Sequence, residues 1–242
     1  MFQFGSGNLY GTISGANPTP RKFAQLQDIN FDFSFSMKSM FGQSQLAVDM
    51  RRGEQKITGK AKFGKIDGNA LNDLFFSQTA TTGLVLTAIG ESGAIPASTP
   101  WTVTVVNSAT WTQDLGVVYA STGVAFTRVA SSPTAGQYTV AAGVYTFSTG
   151  DAGVNVYIDY LYTAATGGTK ISLSNQSMGI TPTFQGVFTG STGGKTVTLI
   201  LNACTSSKLA IATKLEDYSY PELDIEVMAD SGNNIGTLSV SS

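Results

Sequence analysis

Strict two-residue alternation constrains this chain more than any other feature. In NFDFSFSM, Phe31, Phe33, Phe35 and Met37 share one face, and Asp32, Ser34 and Ser36 share the other. Such a pattern describes a strand with one face buried, because successive strand side chains point to opposite sides. The stretch EQKITGKAKF repeats it, with Ile57, Gly59, Ala61 and Phe63 against Lys56, Thr58, Lys60 and Lys62. Gly59 and Ala61 leave the apolar side thin, so something bulky is expected to pack across it. ELDIEVMA alternates as sharply: Leu223, Ile225 and Val227 point inward, and Glu222, Asp224 and Glu226 outward. The expected fold class is mainly β, an antiparallel β-sandwich or barrel.

One segment breaks the alternation. In Asp67 to Gln78, Asp67 can cap a short helix, and Leu71, Leu74 and Phe75 have the spacing of one helical face. A flanking helix covering one face of a sheet is therefore expected. GLVLTAI after it resumes strand character, and Glu91 to Thr99 is rich in turn residues. Short strand-like runs follow at Trp101–Val106, Gly123–Val129, Gln137–Val140, Gly143–Ser148 and Val154–Tyr162, each bounded by Gly, Pro, Ser or Asp. Their spacing points to a compact antiparallel module. The organisation expected is a β core from 1–94 and 164–242, with a small β subdomain inserted at 95–163. One continuous large barrel is the alternative. KISLSN, TPTFQGVFTG and KTVTLILNA read as longer strands, and Thr205–Tyr218 as a short helix or a loop on the sheet. No repeat of 20–50 residues is visible.

Composition removes several function classes. The chain has 242 residues, enough for one large β domain with a smaller one inserted. It has no histidine, which excludes Ser-His-Asp and Cys-His catalysis and His-ligated zinc. Cys204 is the sole cysteine, so no internal disulfide can form, and it reads as a small buried residue. A net charge of −2 argues against a dedicated nucleic-acid binder. Charged residues are only 12% of the chain, which suits a surface packed against copies of itself. The first twenty residues hold no run resembling a signal peptide, and no segment approaches the length of a spanning helix. The expectation is a soluble protein made in the cytoplasm, without membrane insertion.

No motif announces chemistry. GSGNLYG, with Gly5, Gly7 and Gly11, lacks the strand-then-helix setting of a phosphate loop. Asp217, Glu222, Asp224 and Glu226 gather acids, but alternate residues on one strand are spread along it rather than converging on a cation. Asp151 reads as a turn residue. Trp101, Trp111 and the tyrosines of VNVYIDYLY suggest a carbohydrate-binding module, although aromatics on strands more often fill cores. Neither an enzyme nor a cofactor or metal is expected.

Two charged rows remain. Arg51 to Gly68 carries six basic residues and two acidic ones. Within it Lys56, Lys60 and Lys62 line one strand face, while Glu222, Asp224 and Glu226 line another strand. One exposed ion pair contributes about 0–1 kcal/mol. Repeated at every boundary of a polymer, complementary rows could set register and choose the partner face. The alternative is two unrelated solvated faces.

The residues FGSGNLYGT, NPTPRKFAQLQDINFDFSFS and MFGQSQLAVDMRRGEQKITGKAKFGKIDGNALNDLFF together resemble the N-terminal half of tail tube (major tail) proteins of tailed bacteriophages. DLGVVYASTGVAFTRVASSPTAGQYTVAAGVYTFSTGDAGVNVYIDYLYT is similar to a β module recurring in phage virion structural proteins, and KLEDYSYPELDIEVMADSGNNIGTLS is similar to the family's closing segment. The resemblance implies a tail-tube type β-sandwich or barrel with a flanking helix. It further implies six-membered rings stacked into a hollow tube around a tape-measure protein, carrying the genome to the host. Location in the virion tail, with host cytoplasm during assembly, follows, as does a sheath partner if the tail contracts. Sliding DNA disfavours a lysine-lined bore, since each lysine that neutralises a phosphate adds affinity. Lys56, Lys60 and Lys62 are thus expected at a subunit boundary or on the outer wall. Glu222, Asp224 and Glu226 would either pair with them across copies, the preferred reading, or line the bore. The inserted module is expected to face outward. A capsid decoration or head–tail joining protein is the alternative within the virion.

Overall fold

The structure, a computed structural model, describes residues 7–13, 18–23, 26–64, 67–211, 213, 215–216 and 218–241. The chain is mainly β. Its first strands are β1 (Asn8–Ile13), β2 (Pro20–Phe23), β3 (Leu26–Phe41), β4 (Ala47–Phe63) and β5 (Ala80–Ala94). Then come β6 (Thr102–Thr104), β7 (Trp111–Tyr119), β8 (Thr127–Arg128), β9 (Gln137–Ala141) and β10 (Val144–Phe147). The last are β11 (Asn155–Ile171), β12 (Phe184–Thr192), β13 (Lys195–Ala210), β14 (Glu222–Met228) and β15 (Gly236–Val240). The helix α1 (Gly68–Leu71) follows β4.

The chain divides into two compact units, 1–80 with 171–242, and 81–170. The continuous-barrel alternative therefore does not describe it. The divisions fall at 80/81 and 170/171, where the sequence reading put them at 94/95 and 163/164. The difference is the long strands β5 and β11. They neighbour each other in one sheet with β7, so both belong to the second unit.

The first unit is one sheet in the order β2-β1-β12-β13-β14-β4-β3, with β15 also paired to β13. Its ladders are antiparallel. The core gathers Leu9, Leu26, Ala61, Phe63, Phe184, Leu199, Leu201, Cys204, Leu223 and Ile225 from the strands, with Ala70 and Leu74 from the helical segment. As expected, Asp67 caps α1, its carboxylate accepting from Asn69 N at 2.9 Å and Ala70 N at 3.1 Å. The helix continues as a π-helical turn over Asn72–Phe76 and stops where Ser77 turns left-handed at φ 47°. Arg21 of β2 ties this turn down through Asp73. The bulk expected across Gly59 is the Phe31 ring, which lies where a Cβ on Gly59 would sit 2.7 Å from it.

The second unit is a sandwich of two sheets, β6-β10-β9-β8 and β5-β11-β7. Val105, Phe126, Tyr138, Tyr145 and Phe147 share its core with Val117, Val156, Ile158 and Tyr160. β10 pairs antiparallel with β6 and β9, and β11 with β7, whereas β8 and β9 run parallel.

Local differences from the sequence reading have physical reasons. Thr205–Ala210 is strand, because its backbone completes the ladder with β14 through Ala210↔Glu222. Most of KISLSN is irregular, since β11 ends at Ile171 and β12 begins at Phe184. Gly123–Val129 forms only a bridge at Ala125 and the two residues of β8. β7 escaped notice because Thr112, Gln113, Asp114 and Gly116 dilute its alternation. Gly5 and Asp217 lie outside the described residues.

Candidate assembly surface

All six residues singled out from sequence lie on one face of one sheet. β14 joins β4 in the register Glu222↔Lys62, Asp224↔Lys60 and Glu226↔Thr58. On the other side of β4, β3 brings Asp28 opposite Lys62, Asn30 opposite Lys60, Asp32 opposite Thr58 and Ser34 opposite Lys56. Directly opposed residues of an antiparallel pair share a face. Charges thus alternate across the strands. Lys62 Nζ reaches Glu222 Oε1 at 3.3 Å, with both side chains nearly half exposed. β13 adds Lys208 opposite Asp224.

Within one chain, Lys62 therefore pairs with Glu222 and Lys60 stands opposite Asp224, while Glu226 stands opposite Thr58. Sequence showed both faces but not that β14 inserts beside β4. It also missed Asp28, Asn30 and Asp32, the third column of the same lattice. Lys56 differs from the other lysines. Its cross-strand neighbour is Ser34, and it stands beyond the last β4–β14 pair.

There the β3–β4 ladder leaves the rest of the sheet and continues as a two-stranded arm. Among the described residues, β3 from Phe33 and β4 before Ile57 pair only with each other. Ile57 is the last buried residue of the core face. Beyond it the apolar stripe runs on uncovered: Phe33 is 47% exposed, Met37 53%, Met50 57% and Val48 68%. The expected burial of Phe33, Phe35 and Met37 is overturned, because the core ends before they do. The Arg52 guanidinium lies 4.5 Å from the Phe35 ring centre and shields part of the stripe. On the arm, Lys38 faces Arg51, a like-charge pair relieved by Asp49 Oδ2, which accepts from Arg51 Nε at 2.9 Å.

A fork opens at the arm's root. β13 carries β14 along Ala203–Ala210 and β15 along Val197–Leu201, one after the other on the edge away from β12. Leu238 of β15 sits opposite the buried Leu199, yet is 64% exposed. A cleft of about 200 Å³ is lined by Gln55, Ile57, Val227, Met228, Ala229 and Ile235.

The second unit directs its polar groups inward. Asp114 accepts from Tyr138 Oη at 2.7 Å and Tyr145 Oη at 3.1 Å, with Arg128 at 3.7 Å. Asp151 is more than a turn residue. It is buried and accepts from Tyr119 Oη at 2.7 Å and Gly136 N at 3.0 Å. Glu91 accepts from Tyr160 Oη at 2.5 Å. Burial, together with these carboxylates, raises the pKa of Tyr119, Tyr138, Tyr145 and Tyr160. Trp101 and Trp111 pack against the same core, and Trp111 Nε1 donates to Tyr145 Oη at 3.4 Å. Of the tyrosines in VNVYIDYLY, Tyr160 is core, Tyr162 is partly buried against it and Tyr157 is 43% exposed. In the first unit, burial pushes the Cys204 thiol up to about 12. Among the described residues no group of three or more His, Cys, Asp or Glu could hold a metal ion.

No protein-family model matches the chain, and no curated protein matches it. No helix among the described residues is long and apolar enough to cross a membrane.

Proposed function

We propose that this chain is a structural subunit of a bacteriophage tail tube, self-assembling into stacked, six-membered rings around a channel for the genome. The observation that carries this reading is the arm. A core face that continues as Phe33, Phe35, Met37, Val48 and Met50 without cover is a surface built for another protein. The resemblance of the N-terminal half to tail tube proteins names the kind of assembly.

In this reading the partners are other copies of the chain, a tape-measure protein in the bore before ejection, and DNA passing without sequence-specific contacts. A sheath surrounds the tube if the tail contracts. The subunit is made in the host cytoplasm and ends in the virion tail, with the 81–170 unit turned away from the channel. The charge lattice supports free passage wherever its face lies. Lys60 and Lys62 already have acidic neighbours, which lowers their attraction for phosphate.

The test is negative-stain microscopy of the purified full chain at rising concentration. Stacked rings with a narrow bore are expected. Particles that never form rings or tubes, or that bind only to capsids, would replace the tube reading with another position in the virion.

A further inference from the structure

The outer edge of β3 is a long open pairing surface of the first unit. β3 ends the sheet, and among the described residues only β4 pairs with it. The opposite end of the sheet is blunted: β2 has four residues, begins with Pro20 and carries Arg21 and Lys22. β3 carries charges too, at Asp28, Asp32 and Lys38, but it is not short. It runs sixteen residues without Pro or Gly. Between Phe35 and Met37 the register advances two residues on β3 and three on β4, so that irregularity falls on β4. The same holds between Met40 and Phe41. From Asp28 to Met40, β3 keeps a regular edge.

That edge is complementary to itself. Laid antiparallel against a second copy about a two-fold axis at Phe33, DINFDFSFSMK matches end to end. Asp28 meets the second copy's Lys38, and Lys38 meets its Asp28. Ile29 meets Met37, Phe31 meets Phe35, and Phe33 meets Phe33. Asn30 meets Ser36, and Asp32 meets Ser34. Opposed residues share a face, so the two uncovered apolar stripes merge on one side and the opposite charges meet on the other. A shift of the register by two residues separates Asp28 from Lys38. The paired length offers about ten backbone hydrogen bonds. Lys38 gains most, because within its own chain it faces Arg51.

We infer that the free subunit forms a two-fold dimer through antiparallel pairing of β3 with β3 of a second copy, in the register that sets Asp28 against Lys38. Such a contact is isologous and closed, so it occupies the edge without propagating. The free chain is thereby held at two copies. This inference stands apart from the tube reading, since it concerns the unassembled protein.

Sedimentation velocity on the purified chain, at concentrations below those that form larger particles, is the test. A dimer is expected. Lys38→Asp relieves the clash with Arg51 and so keeps the fold, yet sets Asp against Asp28 twice; dimerisation should weaken about tenfold. Asp28→Lys should weaken it similarly, and the double variant Asp28→Lys/Lys38→Asp should restore it. Phe33→Cys, on the axis, should cross-link to a disulfide dimer under mild oxidation, while Asn30→Cys alone should not. A mixture of Asn30→Cys and Ser36→Cys chains should cross-link. A chain monomeric at all concentrations, a double variant no better than the single ones, or a Phe33→Cys that fails to cross-link would overturn the inference.

Discussion

At the residue scale, Lys62 and Glu222 form an ion pair within the chain. Lys62 stands between Glu222 and Asp28, half exposed on both sides. Lys62→Glu is expected to cost up to about 1 kcal/mol, with most recovered by Lys62→Glu/Glu222→Lys; urea denaturation of both variants measures it. Had the lysine row served only contacts between copies, the single variant would leave monomer stability unchanged. Four inward-packed tyrosines, three of them buried and Tyr119 partly so, are expected to set the alkaline limit. Tyr119, Tyr138, Tyr145 and Tyr160 hold their protons more firmly folded than unfolded, because burial and neighbouring carboxylates oppose a second negative charge. Their contribution to stability is therefore complete below pH 10 and is lost as pH rises through the raised values. In a titration followed at 295 nm, the tyrosinate signal of these four should appear together with the loss of near-UV circular dichroism. Ionisation while that signal persists would contradict their burial.

At the element scale, the arm departs most from what alternation implies. Phe35→Ser/Met37→Ser should change monomer stability by less than about 0.5 kcal/mol, because these side chains are substantially exposed. On the tube reading proposed above, the same variant should lose ring and tube formation. A thermal melt and electron micrographs of one preparation decide both points. The strands themselves were legible: Phe31 to Met37, Ile57 to Phe63 and Leu223 to Val227 alternate with little interruption. So was the Asp67 cap, whose chemistry is local to four residues. Where the core stops was not legible. Phe31 and Phe33 are the same residue type two positions apart, and only the end of the β14 ladder at Glu226 separates covered from bare. The candidate site was half legible for the same reason. Alternation marks which residues share a strand face, whereas the neighbour of that strand depends on contacts some 160 residues apart in the chain, between Lys62 and Glu222. Thr205–Ala210 was misjudged because its polar residues hid a ladder that only β14 explains.

At the scale of the whole molecule, each unit has its own core. Independent folding is therefore expected of both. Deleting 81–170 and bridging Ala80 to Ile171 with a short Gly/Ser linker should leave a first unit that unfolds cooperatively in urea. The excised 81–170 should show its own transition, with the tyrosine behaviour described above intact. Non-cooperative loss of structure in either piece would show that the cores depend on each other. The bridge can be short because the chain leaves and returns at neighbouring points, with Thr81 Oγ1 donating to Lys170 O at 3.4 Å. That adjacency also bears on how such a protein can change over generations. Whatever lies between the two crossing points can lengthen, shrink or be replaced without altering the spacing of β4, β14 and β13. The sheet that carries the arm and the variable segment are thus free to diverge at different rates.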